Sequence, residues 1–553
     1  MKGSEKQEKK KVTKVKTFSV PFDLEEIKEN ITITTNSPSK PSEEEIINQA
    51  FKFHSQGNLS EAAKYYQYFI DQEYKDHRVF SNYGIILKNK GKLQEAEFSL
   101  RKAIETNPNF AEAHYNLGNT LKDLGNLQEA EKSYKKAIEL KSNYTKAHLN
   151  IGLIFQNIGK LKEAELSTRK AIELNPNFAD AYINLGTILN DLGKSQEAES
   201  SYLKAIELNP KIAEAHSNLG VILLEKNEHQ SSLKYFSESA VLLRGRKAQI
   251  RSKKISKAKV DHDIEQFEYL ASQGYESEKF TALAILYKKI ASEINWPSTT
   301  QLISLTNNHQ NLLKDNYNRL INQIEAPRLQ HAAVNSLLDI EKITNNYFDH
   351  DFGLTYIDNF LSTSALESLR KFLLESTIWF NIKPNGYLGA FLKEGFANPL
   401  IFQIADELRK KFPKIFKDYP ISQIWAFKYD SRAKKRNSSI KGINVHADVA
   451  AVNVNFWITP DEANLNSDSG GLIVYDVEAP KDWDFQTFNN DEEKIREELQ
   501  KSRGNTKVIP HRANRAVMFN SNLFHETDDY EFKEGYENRR INVTLLFGLR
   551  ENS

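Results

Sequence analysis

The chain has 553 residues, no cysteine and a formal net charge of +1. That length exceeds one ordinary hydrophobic core, so several domains are expected. The missing cysteines exclude a disulfide framework, thiolate metal sites and a cysteine nucleophile, and the balanced charge gives no overall field that would select nucleic acid or a membrane surface.

Met1–Lys16 carries seven Lys against two Glu, and the stretch to Ser42 is rich in Thr, Asn, Ser and Pro. Such a segment buries too little apolar surface to order itself, so 1–42 is predicted to be a disordered basic and polar tail. It has charge but no following apolar stretch, so it is not expected to be a secretory signal. No run of about 18 or more apolar residues occurs anywhere, so no membrane span is predicted and a cytoplasmic location is expected.

From Glu43 the sequence repeats. Gly84, Gly118, Gly152, Gly186 and Gly220 fall every 34 residues, as do Gly57, Gly91, Gly125, Gly159 and Gly193. Ala62, Ala96, Ala130, Ala164 and Ala198 form a third series, and Pro108, Pro176 and Pro210 punctuate repeat ends. Small residues belong where paired helices approach, and Pro stops a helix. The period and these positions resemble the tetratricopeptide repeat, two antiparallel helices per unit. Six units are predicted over 43–246, the last degraded by Asn227 and Ser232 where Gly and Ala recur, as befits a terminal unit facing a different neighbour. Asn48, Asn82, Asn116, Asn150, Asn184 and Asn218 share the period. In this solenoid type the first helices line the concave face. A column of amides there offers donors and acceptors to an extended peptide, like the asparagine ladder of the repeats attached to O-linked N-acetylglucosamine transferase. The resemblance therefore implies a protein or peptide partner in the groove.

Arg244–Lys259 contains eight basic residues and no acidic one, read as a solvated helix face or linker. Phe267, Leu270, Leu283, Leu286 and Ile290 recur at helical spacing until Trp296-Pro297, so 247–345 is expected to be a helical connector.

The remaining 346–553 opens with a strand at Leu354–Ile357 and a helix capped by Ser362 or Thr363. Trp425–Tyr429 reads as a strand. Ile443–Asp448 alternates, so a strand there would place His446 and Asp448 on one face. With His525 they form two imidazoles and one carboxylate, a set that leaves adjacent positions of a metal open, as in non-haem Fe(II) oxygenases. Asn455–Thr459, the turn Ser469-Gly470-Gly471, Arg515–Asn520 and the strand after Arg539 follow in order. That succession resembles the iron(II)- and 2-oxoglutarate-dependent dioxygenases, especially the prolyl-hydroxylase-like branch.

The resemblance implies a double-stranded β-helix, or jelly-roll, with flanking helices. It also implies Fe2+ held by His446, Asp448 and His525, with 2-oxoglutarate as co-substrate. Arg540 would grip the distal carboxylate through two parallel hydrogen bonds, with Asn542 standing where the family pattern has Ser. Period-two alternation puts Arg540, Asn542 and Thr544 toward the cavity and leaves Arg539 solvated. Asn453, Asn455 and Trp457 share the cavity face of their strand, and Tyr429 reaches it too. His511 is expected to be a non-ligand, and Asp484–Arg503 a polar lid. The reaction expected is hydroxylation of a protein or peptide recruited by the repeats. A small-molecule dioxygenase and a non-catalytic scaffold are the alternatives.

Overall fold

The computed structural model describes residues 41–248, 254–432, 442–502 and 504–550. The predicted tail and the middle of the basic run 244–259 lie outside these. The described chain divides into two compact units, Met1–Pro210 and Lys211–Ser553.

The first unit holds five antiparallel helix pairs, from Glu43–Ser55 with Leu59–Asp71 to Ala179–Asp191 with Ser195–Leu208. The two glycine series have different causes. Gly57, Gly91, Gly125, Gly159 and Gly193 all take positive φ at the turn inside each pair, where an L side chain would be strained. Gly118 lies within a helix, and a Cβ there would come within 2.7 Å of the Tyr134 ring on the paired helix. The recurring alanines are fully buried at the same contacts.

The asparagine column is not a groove surface. Asn82, Asn116, Asn150 and Asn184 are 2 % exposed or less, while Asn48 and Asn218 are half-buried. Asn150 Nδ2 donates to Tyr115 Oη (3.0 Å) and to Asn119 Oδ1 (2.8 Å), and Asn119 Oδ1 also accepts from the Tyr134 hydroxyl (2.7 Å). Asn150 thus joins neighbouring repeats from inside rather than facing a groove.

The second unit begins with the sixth pair, Ala213–Glu225 and His229–Arg244. Its departures from the repeat follow from what it packs on. Asn227 takes the turn glycine's positive φ (62°) and accepts a hydrogen bond from Arg409. Ser232 is buried like the alanines it replaces and donates to Gly220 O (2.7 Å). His229 reaches Asp406 (3.0 Å) and Arg244 reaches Glu394 (2.6 Å). Leu224 and Phe236 belong to the same apolar core as the sheet.

The connector region carries helices Lys257–Ser272, Ser277–Glu293 and Asn307–Leu313, and two paired dipeptide strands, β1 (Lys254–Ile255) and β2 (Ile303–Ser304). Residues 314–339 are irregular, and the helix Ile340–Asp349 runs across the expected boundary at 345/346.

The strands that follow are β3 (Leu354–Ile357), β4 (Asn381–Ile382), β5 (Leu388–Phe391), β6 (Ile421–Tyr429), β7 (Val452–Trp457), β8 (Leu472–Glu478), β9 (Thr506–Ile509), β10 (Ala516–Asn520), β11 (Leu523–Thr527) and β12 (Arg540–Phe547). They form an antiparallel seven-stranded sheet in the order β3-β10-β7-β12-β6-β5-β4 and a three-stranded sheet, β11-β8-β9. One face of the larger sheet is apolar. Ile541, Val543 and Leu545 of β12 join Val454, Phe456 and Ala426 under the helices Thr363–Glu375 and Pro399–Lys411. Ser362 caps the first of these helices as expected, its side chain accepting from Ala365 N. The opposite parity carries Arg540, Asn542 and Thr544, buried together with Asn453 and Asn455 of β7.

Two outcomes test this packing. Asn150→Ala should destabilise the middle repeats by about 1–3 kcal/mol, less the small gain in helix propensity. Hydrogen exchange should then speed up across Thr145–Asn157; unchanged protection would show the amide is dispensable. A fragment 211–553 should melt cooperatively, whereas 346–553, stripped of Leu224, Phe236 and half of the helix Ile340–Asp349, should not.

Candidate metal and anion site

The expected strand 443–448 is an extended segment rather than a ladder strand. It makes one isolated antiparallel bridge, His446 with His525. His446 N donates to His525 O (3.0 Å) and His525 N to His446 O (2.8 Å). Asp448 N donates to Ser521 O (3.1 Å), so the segment lies along β11 and the turn before it. The alternation is kept: Val445 and Ala447 enter a small apolar core with Phe524, while His446 and Asp448 face away from it.

The reciprocal bridge sets the imidazoles side by side, with ring centroids 4.3 Å apart. His525 Nε2 lies 3.4 Å from Asp448 Oδ2, and His446 Nε2 lies 3.8 Å from Asp448 Oδ1. Ligand-type atoms of the three residues all fall within 4.8 Å of one another, and among the described residues this is the one such group. His446 Nδ1 is 2.8 Å from Asn444 O and His525 Nδ1 is 3.0 Å from Leu523 O. A carbonyl only accepts, so each Nδ1 carries the proton and each Nε2 presents a lone pair to the shared space. Asn453 Nδ2 holds Asp448 Oδ2 at 2.6 Å. Burial, with His525 beside it, lowers His446 to about 4, so its ring is neutral near pH 7. Burial pushes the Asp448 carboxyl up, but the His525 and His446 rings beside it and the Asn453 amide that donates to Oδ2 outweigh it and leave the group below its ordinary value. Neutral imidazoles and an ionised carboxylate are the forms that ligate a divalent metal. The donor set fits such an ion.

A polar strip runs from there across the larger sheet. Asn453 touches Asp448, and Asn542 Nδ2 donates to Asn455 Oδ1 (2.9 Å) and to Thr544 Oγ1 (3.4 Å). Arg540 ends the strip. Its Nε donates to Gly470 O (2.7 Å), one Nη to Gly471 O (3.0 Å) and the other to Asn542 Oδ1 (3.4 Å). Its guanidinium lies 4.6 Å from the Tyr429 ring centroid and 5.9 Å from that of Trp457. The Ser-Gly-Gly turn therefore does more than feed β8: its carbonyls aim Arg540. Gly471 has no room for a side chain, since a Cβ would come within 1.9 Å of Ile509 O. Among the described residues no carboxylate lies within ion-pair distance of Arg540, and burial holds its guanidinium below the ordinary arginine value. A buried cation on which a carboxylate, Asp528, acts only from beyond ion-pair distance is costly, so the arrangement suits an incoming anion.

Arg539 corrects the expectation of a solvated side chain. It has the predicted opposite parity, but that side is buried. It pairs with Glu265 (2.8 Å) of the helix Lys257–Ser272 and with Asp430 (3.1 Å), and Arg432 reaches Glu265 (2.5 Å) and Asp430 (2.7 Å). The segment Asp484–Arg503 is also more than a polar lid. Its helices Phe485–Asn490 and Glu492–Ser502 bury Phe488 and Ile495 against Val445 and Ala447. Ala447 N donates to Phe488 O (2.9 Å) and Asn489 Nδ2 donates to Ala447 O (2.8 Å). Arg496 bonds Glu526, the neighbour of His525, at 2.6 Å. These supports join residues far apart in sequence, and no local signal marks Asn489 or Arg496.

The comparisons with known proteins bear on the repeats. Models described as tetratricopeptide repeat match residues 111–144 and 179–212, 145–178, and 201–234, and a TPR repeat model matches 84–125. The N-terminal half thus carries tetratricopeptide repeats, and all of these matched residues lie within 84–234. No curated protein matches the chain. Among solved structures the chain is similar to MamA, with 28% identity, covering 28% of this chain and 91% of that one at a TM-score of 0.27. It is also similar to YrrB, titled a TPR protein with an unusual peptide-binding site (24% identity, 33% and 93% coverage, TM-score 0.29). A third is MamA from Desulfovibrio magneticus RS-1 (23% identity, 31% and 97% coverage, TM-score 0.29). Among the described residues no helix is long and apolar enough to cross a membrane.

Because both arginines are buried but serve different partners, they should separate on mutation. Arg539→Leu removes the more deeply buried of the two arginines that Asp430 and Glu265 share, leaving them Arg432 alone, and should cost about 1–3 kcal/mol of stability. Thermal melting of the 211–553 unit reports the loss, and a shift of less than a few degrees would place Arg539 outside the core.

Proposed function

We propose that the C-terminal unit is an iron(II)- and 2-oxoglutarate-dependent oxygenase and that the chain hydroxylates a protein or peptide. One observation carries this reading. A facial set of two Nε2 lone pairs and a carboxylate sits at one end of a buried polar strip, and an arginine without a counter-ion sits at the other. The seven- and three-stranded antiparallel sheets, both contributing to that strip and set, support a double-stranded β-helix.

His446, Asp448 and His525 would hold the metal, which in this class activates dioxygen while 2-oxoglutarate is oxidised to succinate and carbon dioxide. The chain's own part is orientation. The carbonyls of Asn444 and Leu523 fix both ring tautomers, and Asn453 fixes the carboxylate. Arg540 supplies charge-assisted hydrogen bonds to a distal carboxylate. The rings of Tyr429 and Trp457 flank the guanidinium and keep water from it, which strengthens its attraction for an anion.

The protein or peptide substrate is inferred from the tetratricopeptide repeats, whose commonest use is protein interaction. The buried asparagine column removes one route to it, so recognition would fall to other side chains of the solenoid. The family matches, confined to the repeats, favour a second reading: an interaction scaffold whose sheet unit turns nothing over.

Metal binding separates the two. Under anaerobic conditions the full chain should take up one iron(II) and develop a visible charge-transfer band with 2-oxoglutarate. His446→Ala and His525→Ala should each abolish the band, and Arg540→Leu should weaken 2-oxoglutarate by about 2–3 kcal/mol. Succinate release, screened with peptides against metabolites, then assigns the substrate class. A wild-type chain that binds no iron leaves the scaffold.

A further inference from the structure

We infer that His511 and Trp457 complete the anion pocket around Arg540 and set its selectivity for a carboxylate-tipped chain, each donating a hydrogen bond to the carboxylate that faces the guanidinium. The inference rests on the 2-oxoglutarate reading above.

The His511 side chain has no solvent exposure, and neither ring nitrogen has a hydrogen-bond partner. The nearest carboxylate oxygen, Asp461 Oδ1, stands 3.9 Å from Nδ1, beyond hydrogen-bond reach. A neutral imidazole always carries one N–H and one lone pair, so such burial leaves both unsatisfied. Trp457 Nε1 is buried without a partner as well. These orphans are not scattered. His511 packs on Trp457 with ring centroids 5.8 Å apart and stands edge-on to Phe532 at 5.0 Å. Trp457 and Tyr429 are the two rings that flank the Arg540 guanidinium. Two side chains with unsatisfied nitrogens thus gather beside the buried Arg540.

The backbone explains the gathering. His511 N donates to Ser469 O (3.2 Å), and Gly471 presses on the same stretch, its missing Cβ leaving room for His511 N. The carbonyls of Gly470 and Gly471 meanwhile accept from Arg540. One turn therefore fixes both side chains. Burial, with Arg540 and Arg515 nearby, lowers His511 to about 3. The ring is neutral and adds a hydrogen bond rather than a second positive charge. Buried donors of this kind reject a ligand that cannot satisfy them.

The test is calorimetric titration of the full chain loaded with Mn(II), using 2-oxoglutarate and oxalate. Oxalate chelates a metal but has no distal carboxylate. His511→Phe and Trp457→Phe should each weaken 2-oxoglutarate about tenfold and leave oxalate within about twofold. His511→Gln, which keeps a donor, should recover part of the loss. Wild-type affinity for 2-oxoglutarate in His511→Phe overturns the inference and leaves the co-substrate reading intact. If that variant does not fold, Trp457→Phe, which deletes the indole N–H and keeps one aromatic ring, decides in the same way. A wild-type chain that binds oxalate but not 2-oxoglutarate overturns the reading on which the inference rests.

Discussion

The site depends on one reciprocal pair of backbone hydrogen bonds, between His446 and His525. In an antiparallel pair, residues directly opposite each other point to the same side of the sheet. Bonding these two residues to each other therefore brings two imidazoles together without any side-chain attraction. Asp448, two residues on, arrives on the same side by alternation. Everything else near the site keeps that pairing from slipping. Asn489 and Phe488 hold Ala447 from the far edge, and Arg496 fixes Glu526. A slip of the 443–448 segment by one residue would turn His446 and Asp448 into the apolar core and bring Val445 or Ala447 out.

The same parity argument separates two adjacent arginines. Arg540 faces the polar strip, where its hydrogen bonds go to two carbonyls and an amide oxygen. Arg539 faces the connector helix, where Glu265 and Asp430 neutralise it. Desolvation acts on both, but Arg539 recovers it through ion pairs, with Asp430 held at about 2 against the lift of burial by Arg539 and Arg432. Arg540 recovers little of it in the chain alone. A buried charge left outside any ion pair is the kind of perturbed group that clusters at functional sites.

Periodic features were legible in the sequence because they are local. A repeat of 34 residues fixes helix pairs, and alternation in β12 fixes which residues share a face. The strands holding Asn455 and Arg540 fall where the sequence pattern put them. What was not legible depends on distant neighbours. Recurrence alone cannot say whether an asparagine column faces solvent or the next helix, and Asn150 finds Tyr115 and Asn119 there. Parity places Arg539 away from the cavity but does not reveal that a helix some 270 residues earlier covers it; Glu265 supplies that knowledge only in three dimensions. The insertion 484–503 looked too polar for a core because two apolar side chains, Phe488 and Ile495, suffice when they meet Val445 and Ala447.

The sixth helix pair shows how a repeat is converted into part of another unit. Its glycine at the helix contact is kept, so the pair still closes on itself. The turn glycine became Asn227, one of the few residues that tolerate positive φ and also offer a hydrogen-bonding side chain. The contact alanine became Ser232, which keeps the small volume and adds a bond to Gly220 O. Each replacement preserves the geometry of the pair, and Asn227 and His229 add polar contacts to the helix Pro399–Lys411. That helix covers the apolar side of the sheet whose other side carries the polar strip. Degeneration of the repeat is thus selective: positions that shape the pair keep their shape, and positions that face outward acquire partners in the sheet unit. A sheet that must hold an unpaired Arg540 on one side gains most from such cover on the other, because a rigid, fully packed apolar face is what allows the opposite face to carry unsatisfied polar groups.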